Sequence, residues 1–200
     1  MKTIDDFRQQ DYRFLGNFFE CDIELDGDVY PTLEHAFQAS KTASQIDRDQ
    51  IRTARTPRRA KRIGRSISIA SDWDDIRVDV MHQLLAKKFD TPKLKKMLLA
   101  TKSAELVSGG DAFWGKVDGQ GTNHIGEMLM KIRTGLVKDA ASDLDDANRE
   151  FLEACCWVRD QDGDSMFGEC WTPPWNDNCQ YSLEDAVNAA RPRQVWSCDN

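Results

Sequence analysis

The stretch from Asp22 to Thr42 constrains the fold most, because its periodicity switches from two to helical within a few residues. Asp22-Ile23-Glu24-Leu25-Asp26-Gly27-Asp28-Val29-Tyr30 alternates polar and apolar around Asp-Gly, a dipeptide suited to the positive φ values of a tight hairpin turn. Pro31-Thr32 then marks a helix entry. The Thr32 hydroxyl can accept from an orphan first-turn N–H, and Glu34 complements the positive end of the helix. At 100° per residue Glu34, Gln38 and Lys41 share a face at i, i+4 and i+7, beside a stripe of Leu33, Phe37 and Ser40. An acid, an amide and an amine so arranged make either a solvated surface with a weak Glu/Lys pair or the wall of a site.

Two hundred residues, 40% of them hydrophobic, suit one domain or one domain with a small appendage. No apolar run approaches the roughly 18 residues of a membrane span, and the polar start Met1-Lys2-Thr3-Ile4-Asp5-Asp6 has no signal-peptide core. The expectation is therefore no membrane and a cytoplasmic setting. The six cysteines show no CxxC spacing and few nearby histidines, which supports neither a zinc site nor a thioredoxin-type motif. Reduced thiols, no metal and no other cofactor are expected. The net charge of −7 is uneven: from Asp145 onward there are twelve acids and four arginines, a net of −8, which leaves +1 for the rest. That division predicts a main domain over 1–140 and an acidic appendage over 141–200, with the boundary between Lys138 and Asp146.

Before the hairpin, Tyr12 to Phe19 reads as a loop or short strand, with a tight turn at Gly16-Asn17. After Lys41 comes an arginine-rich passage in which Thr56-Pro57 starts a helix. Arg58, Arg62 and Arg65 share its outer face, and Ala60, Ile63 and Ile67 turn inward. Guanidinium groups match phosphate oxygens bidentately, so Arg58 and Arg62 are candidate phosphate ligands, against the plain alternative of a solvated basic face. Ser71-Asp72 opens another helix with Ile76, Val80, Met81, Leu84, Leu85 and Phe89 as a core stripe, and Pro92 opens the next, running to about Ala100. Trp73 sits at a helix mouth, where its ring is either a core plug or a stacking surface. From Leu106 to Gly126 the chain carries six glycines, Asp111, Asp118 and Trp114, the composition of a loop whose backbone closely approaches a ligand. It contains neither a GxGxxG motif nor a P-loop. The following Glu127–Arg133 reads as a helix with Met128, Leu129 and Ile132 inward.

Six blocks in order carry a resemblance. They are Phe14–Phe19, Tyr30–Lys41, Asp72-Trp73, Lys88-Phe89, Asp111-Ala112-Phe113-Trp114-Gly115 and Gly121–Arg133, and together they resemble the NADAR (YbiA-like) family over about residues 12 to 135. The resemblance implies an α+β, mainly α fold, a compact multihelical domain with a small β-hairpin element, followed here by a short C-terminal appendage that it does not cover. It also implies hydrolysis of N-glycosidic bonds of ribosyl compounds. Members are associated with phosphoribosylamino-pyrimidine intermediates of riboflavin synthesis, others with removal of ADP-ribose from guanine. The rival expectation is a binding module that senses ADP-ribose or another NAD-derived nucleotide and cleaves nothing. In this chain Ser108-Gly109-Gly110 replaces a longer glutamate-bearing insert common in the family.

The chemistry asks for the same residue types. Breaking a ribose C1–N bond builds positive charge on the sugar, so it needs a carboxylate near C1 and a proton donor near the leaving nitrogen. Glu34 and Asp111 are the candidates, and a desolvated Lys41 is a third, able to form a Schiff base with the opened sugar. The resemblance carries over further positions: Trp73 and Trp114 to stack on a base, Asn17, Gln38 and Asn123 to bond hydroxyls or base edges, Phe18 to wall the pocket and Gly115 in the same binding block, against the plain alternatives of Trp114 and Phe18 as core aromatics and Asn123 as a turn former capping the last helix. The expected partner is a small ribosyl nucleotide or an ADP-ribosylated base, with nucleic acid as a carrier of the modified base.

In the tail, Leu144 to Val158 reads as a helix. Cys156–Arg159 and Met166–Trp171 read as a hairpin around Asp-Gly, with Asp160, Asp162 and Asp164 forming a turn rather than a calcium loop. Ser182–Asp185 opens a last short helix. Four of the six tryptophans lie beyond Asp145, a content that suits a module packed on the body or on a partner.

Overall fold

The structure, a computed structural model, describes residues 2–154, 158–159, 170–172 and 181–190. It is an α+β fold, mainly helical. The chain divides into two compact units, 1–136 and 137–200.

In the first unit a parallel pair of two-residue strands, β1 (Thr3–Ile4) and β4 (Glu105–Leu106), ties the start of the chain to the end of the helical run. The antiparallel hairpin of β2 (Glu20–Leu25) and β3 (Asp28–Thr32) lies where the alternation places it, turning on Asp26 and Gly27 with φ of 52° and 84°. Both values are positive, as a two-residue turn matched to strand twist requires. Thr32 ends β3 and caps α1 (Leu33–Ala39), its hydroxyl accepting from the His35 N–H at 3.3 Å. The His35 ring extends this cap. Its Nε2 lies 3.0 Å from the Ala54 carbonyl, which can only accept, so in the neutral ring Nε2 carries the proton and Nδ1 accepts from the Thr32 hydroxyl at 2.7 Å.

Around α1 are packed α2 (Gln45–Arg52), α3 (Pro57–Ile63) and α4 (Trp73–Asp90), with α5 (Pro92–Leu99) against α4. The core runs through Leu15, Tyr30, Leu33, Phe37, Leu84, Leu85, Phe89 and Leu129. Every residue of α1 is buried, so this helix forms the centre of the unit rather than its surface.

Several expectations are corrected. A 3-10 helix at Gln10–Leu15 runs into the Tyr12–Phe19 stretch, expected as a loop or short strand; residues 16–19 are turn, and the helix sets Phe14 edge-on to Phe89 at 6.3 Å. The passage after Lys41 holds a whole helix, α2, capped by Ser44 accepting from the Asp47 N–H. The helix expected at 127–133 and the described part of the one expected at 144–158 belong to one helix, α6 (His124–Ala154), since nothing between them is Pro and Gly135 is the only glycine there to weaken it; residues 155–157 lie outside the described residues and Val158 belongs to a strand instead.

In the second unit β5 (Val158–Arg159), β6 (Cys170–Thr172) and β7 (Tyr181–Ser182) form a three-stranded antiparallel sheet, followed by α7 (Leu183–Ala190) with Ala186 and Val187 buried. The expected turn at Asp160, Asp162 and Asp164 lies outside the described residues. Among the described residues no helix is long and apolar enough to cross a membrane, and no cluster of side chains has a metal-ligand arrangement.

Candidate active site

Glu34 is 4% exposed on the first turn of α1, its backbone N–H bonded to the Asn17 carbonyl at 3.0 Å. One turn on, Gln38 Nε2 donates to Glu34 Oε1 at 2.8 Å. That bond fixes the amide's orientation, because the flipped group would set two oxygens against each other. Gln38 Oε1 is then left buried without a partner, as is Asn17 Oδ1. Both oxygens are closed off from solvent, Gln38 Oε1 lying against Gly64, so each is an unanswered acceptor inside the fold.

Lys41 lies past the end of α1, in the turn that follows Ser40, rather than on the helix. It still shares the region of Glu34. Its Nζ is 3.5 Å from the Gly64 carbonyl and 5.8 Å from the centre of the Trp73 ring. Burial pushes the Lys41 amine below the ordinary lysine value; Glu34 opposes the shift, and Lys61, Arg65 and Arg77 add to it. No ion pair joins Glu34 and Lys41 among the described residues. The amine is thus half-desolvated beside a carboxylate without being neutralised by it.

An aromatic wall adjoins this pair. Phe37 packs against Trp73 at 5.1 Å and meets Trp114 edge-on at 5.5 Å, and Phe113 meets Trp114 edge-on at 4.9 Å. Trp73, at 6% exposure, is the plug of the two roles its position allows, whereas Trp114 is only half-buried. Phe18, 43% exposed, lies beside Asn17 in the turn after the 3-10 helix.

The glycine-rich loop is built differently from its expected use. A Cβ on Gly115 would lie 2.0 Å from the Ser108 carbonyl oxygen, and one on Gly121, where φ is 137°, would lie 2.3 Å from the Gly115 carbonyl oxygen. These two glycines let the loop pack on itself, not on a ligand. Asn123 serves the same packing: its Oδ1 accepts from the Ser108 N–H and its Nδ2 donates to the Leu106 carbonyl, both at 2.9 Å. Asp111 is exposed, and its Oδ1 accepts from the N–H groups of Phe113 and Trp114. Glu34, Gln38, Lys41, Trp73 and Trp114 are therefore brought together, with Asn17 adjoining Glu34 through its carbonyl. Gly115, Asn123 and Asp111 shape the loop that carries Trp114. Arg58 and Arg62 line an open concavity with Arg55, Thr56 and Arg59, on the exposed side of α3, while Ala60 and Gly64 face α1.

The chain matches the NADAR domain over residues 6–137, a span that holds every one of these side chains. The chain belongs to the NADAR family. It is 38% identical over 132 residues to a protein named N-glycosidase YbiA from Escherichia coli (strain K12), covering 63% of this chain and 82% of that one. A riboflavin biosynthesis protein of Vibrio vulnificus is 37% identical over 142 residues, which are 68% of this chain and 38% of that protein. The NMR structure of the E. coli protein YbiA superposes with a TM-score of 0.63 at 35% identity, over 70% of this chain and 88% of that chain. NADAR membership with N-glycosidase relatives supports a glycosidase-like role for the chain.

Two residues of this NADAR domain carry roles that reading the sequence missed. Lys88 is 1% exposed, donates to the Gly16 carbonyl at 2.8 Å and lies against the Phe19 and Phe89 rings, so it ties down the turn that carries Asn17. Arg77 stands over the Phe113 ring. Helical periodicity gives no sign of Arg77, whereas Lys88, at i+7 from Met81, i+4 from Leu84 and i+3 from Leu85, falls on the core stripe, and only its charge makes it read as solvent-facing.

Proposed function

We propose that the chain is an N-glycosidase that hydrolyses the bond between C1 of a phosphoribosyl or ADP-ribosyl group and an amine nitrogen of a nucleobase-like partner. The observation that carries this reading is the buried Glu34 carboxylate, held by Gln38 and accompanied, without an ion pair, by the half-desolvated Lys41. As the C1–N bond lengthens, positive charge grows on the sugar and Glu34 stabilises it. Water adds hydroxide to C1, and its proton goes to the departing nitrogen. The half-buried Trp114 stacks on the base.

A second reading of the chemistry is favoured by the environment of Lys41. Burial raises the fraction of its amine that is neutral near pH 7, and a neutral amine can attack C1 of the opened sugar. The nitrogen leaves, a Schiff base forms, and water releases the sugar and restores the amine. Borohydride reduction during turnover separates the routes by trapping a sugar on Lys41 in the second only.

The test of function is a panel assay on the full chain with a phosphoribosylamino-pyrimidine and an ADP-ribosylated guanine, following released sugar phosphate or ADP-ribose. Turnover of either substrate supports the glycosidase. Binding of ADP-ribose by calorimetry with turnover of neither would replace it with a nucleotide-sensing module.

A further inference from the structure

Arg77 lies on α4 one turn beyond Trp73, and no part of the chemistry above uses it. Its guanidinium carbon stands 4.2 Å from the centre of the Phe113 ring. From Phe113 the rings continue through Trp114 and Phe37 to Trp73, over which Lys41 is placed, so Arg77 and Lys41 flank one aromatic wall. The charge of Arg77 is poorly answered. Its Nη1 is 3.3 Å from Asp74, whose side chain is 84% exposed, and an ion pair so open to water is weak. Its Nε–H is buried without an acceptor. Arg48 and Arg52 also have an unpartnered Nε, but they are held by Asp26 and by Asp28 and Asp49. At Arg77 the charge faces the proposed site: with Lys61 and Arg65 it helps depress the Lys41 amine.

A guanidinium held over a ring, with a third of the side chain still exposed and its charge little neutralised, suits the capture of a phosphate through its Nη groups. We propose that Arg77 binds the phosphate of the ribosyl substrate and sets the preference for phosphorylated over unphosphorylated ribosyl compounds. This assignment rests on the N-glycosidase reading for its catalytic consequence, though not for binding. The alternative is that Arg77 only clamps the Phe113 loop to α4.

Two measurements on wild type, Arg77→Met and Arg77→Lys decide between them. In calorimetry with ribose 5-phosphate, Arg77→Met is expected to bind about 10–100-fold more weakly, the loss of a charge-assisted hydrogen-bonded pair, and Arg77→Lys to fall between. In kinetics, the ratio of kcat/KM for a phosphorylated N-ribosyl substrate over its dephosphorylated counterpart is expected to drop by a similar factor in Arg77→Met, mainly through KM. Equal binding of ribose 5-phosphate by wild type and both variants, or an unchanged kinetic ratio, overturns the assignment in favour of the clamp. Should wild type cleave neither substrate while ribose 5-phosphate binding still depends on Arg77, the glycosidase reading fails and the phosphate site stands. Should Arg77→Met not fold, Arg77→Lys keeps the charge over Phe113 and decides both measurements by itself.

Discussion

At the scale of single residues, the site depends on one side chain having its hydrogen bonds already spent and another having them unspent. Gln38 gives its N–H to Glu34 and keeps its carbonyl oxygen unpartnered against Gly64, so the amide serves to orient the carboxylate. Asp111 is the opposite case. Its Oδ1 already holds two backbone N–H groups of the loop, and an asparagine oxygen can do the same without the charge. Asp111→Asn is accordingly expected to stay within about threefold of wild-type turnover, whereas a carboxylate taking part in the proton transfers would lose about 10²–10⁴-fold on the same change. Asp111→Ala, which removes the acceptor, is expected to lower both turnover and the thermal midpoint. Steady-state rates and melting curves for the pair of variants separate loop-shaping from proton transfer. The roles of Glu34 and Gln38 were half legible in the sequence, because helical spacing put them on one face. It could not tell a buried face from a solvated one, since that depends on which helices close over α1.

At the scale of elements, the contact between α1 and α3 sets the geometry of the carboxylate. A Cβ on Gly64 would lie 2.1 Å from Gln38 Oε1 and 2.9 Å from Gln38 Cβ, so α3 can approach α1 this closely only because position 64 is glycine. Its backbone is right-handed helical, with φ of −62°, so an alanine there meets no backbone strain and its nearest clash is with Gln38. Gly64→Ala should displace Gln38, release Glu34 and reduce kcat by about 10²-fold, the scale of a 1 Å misplacement. A Gly64→Ala enzyme with wild-type kcat would show that the Gln38–Glu34 bond is dispensable. Elements written in local chemistry were legible from sequence: the hairpin through Asp26-Gly27, α1 through Thr32, α3 through Thr56-Pro57 and α4 through its apolar stripe. The 3-10 helix and the continuity of α6 were not. The first depends on Phe14 meeting Phe89, seventy-five residues away in sequence, and the second on a charged, glycine-poor segment whose change of composition resembles a boundary.

At the scale of the whole molecule, the folded state carries one fully buried lysine, and its titration is a term in global stability. Burial pushes Lys88 down from 10.5 to about 8, with two aromatic rings and the Gly16 carbonyl as its surroundings. Between those values the unfolded chain holds a proton that the folded one has released, so rising pH favours folding. Cys21, whose thiol burial pushes above 9.0, acts in the opposite sense once the unfolded thiol ionises. The Lys88 contribution is therefore clearest from about pH 8 to about pH 9. Urea midpoints are expected to rise across that interval in wild type and to rise less in Lys88→Met, where the lowered Lys41 amine still acts in the same sense; an equal rise in both would place the proton release elsewhere.

The central claim, that Glu34 drives cleavage of an N-glycosidic bond, is tested most directly by single-turnover release of base from a phosphoribosylamino-pyrimidine, with Glu34→Gln compared against wild type at saturating enzyme. The glutamine keeps the shape and an acceptor for Gln38 but removes the charge. The account predicts release slowed by about 10²–10⁴-fold with substrate still bound. Release at the wild-type rate from Glu34→Gln would contradict it.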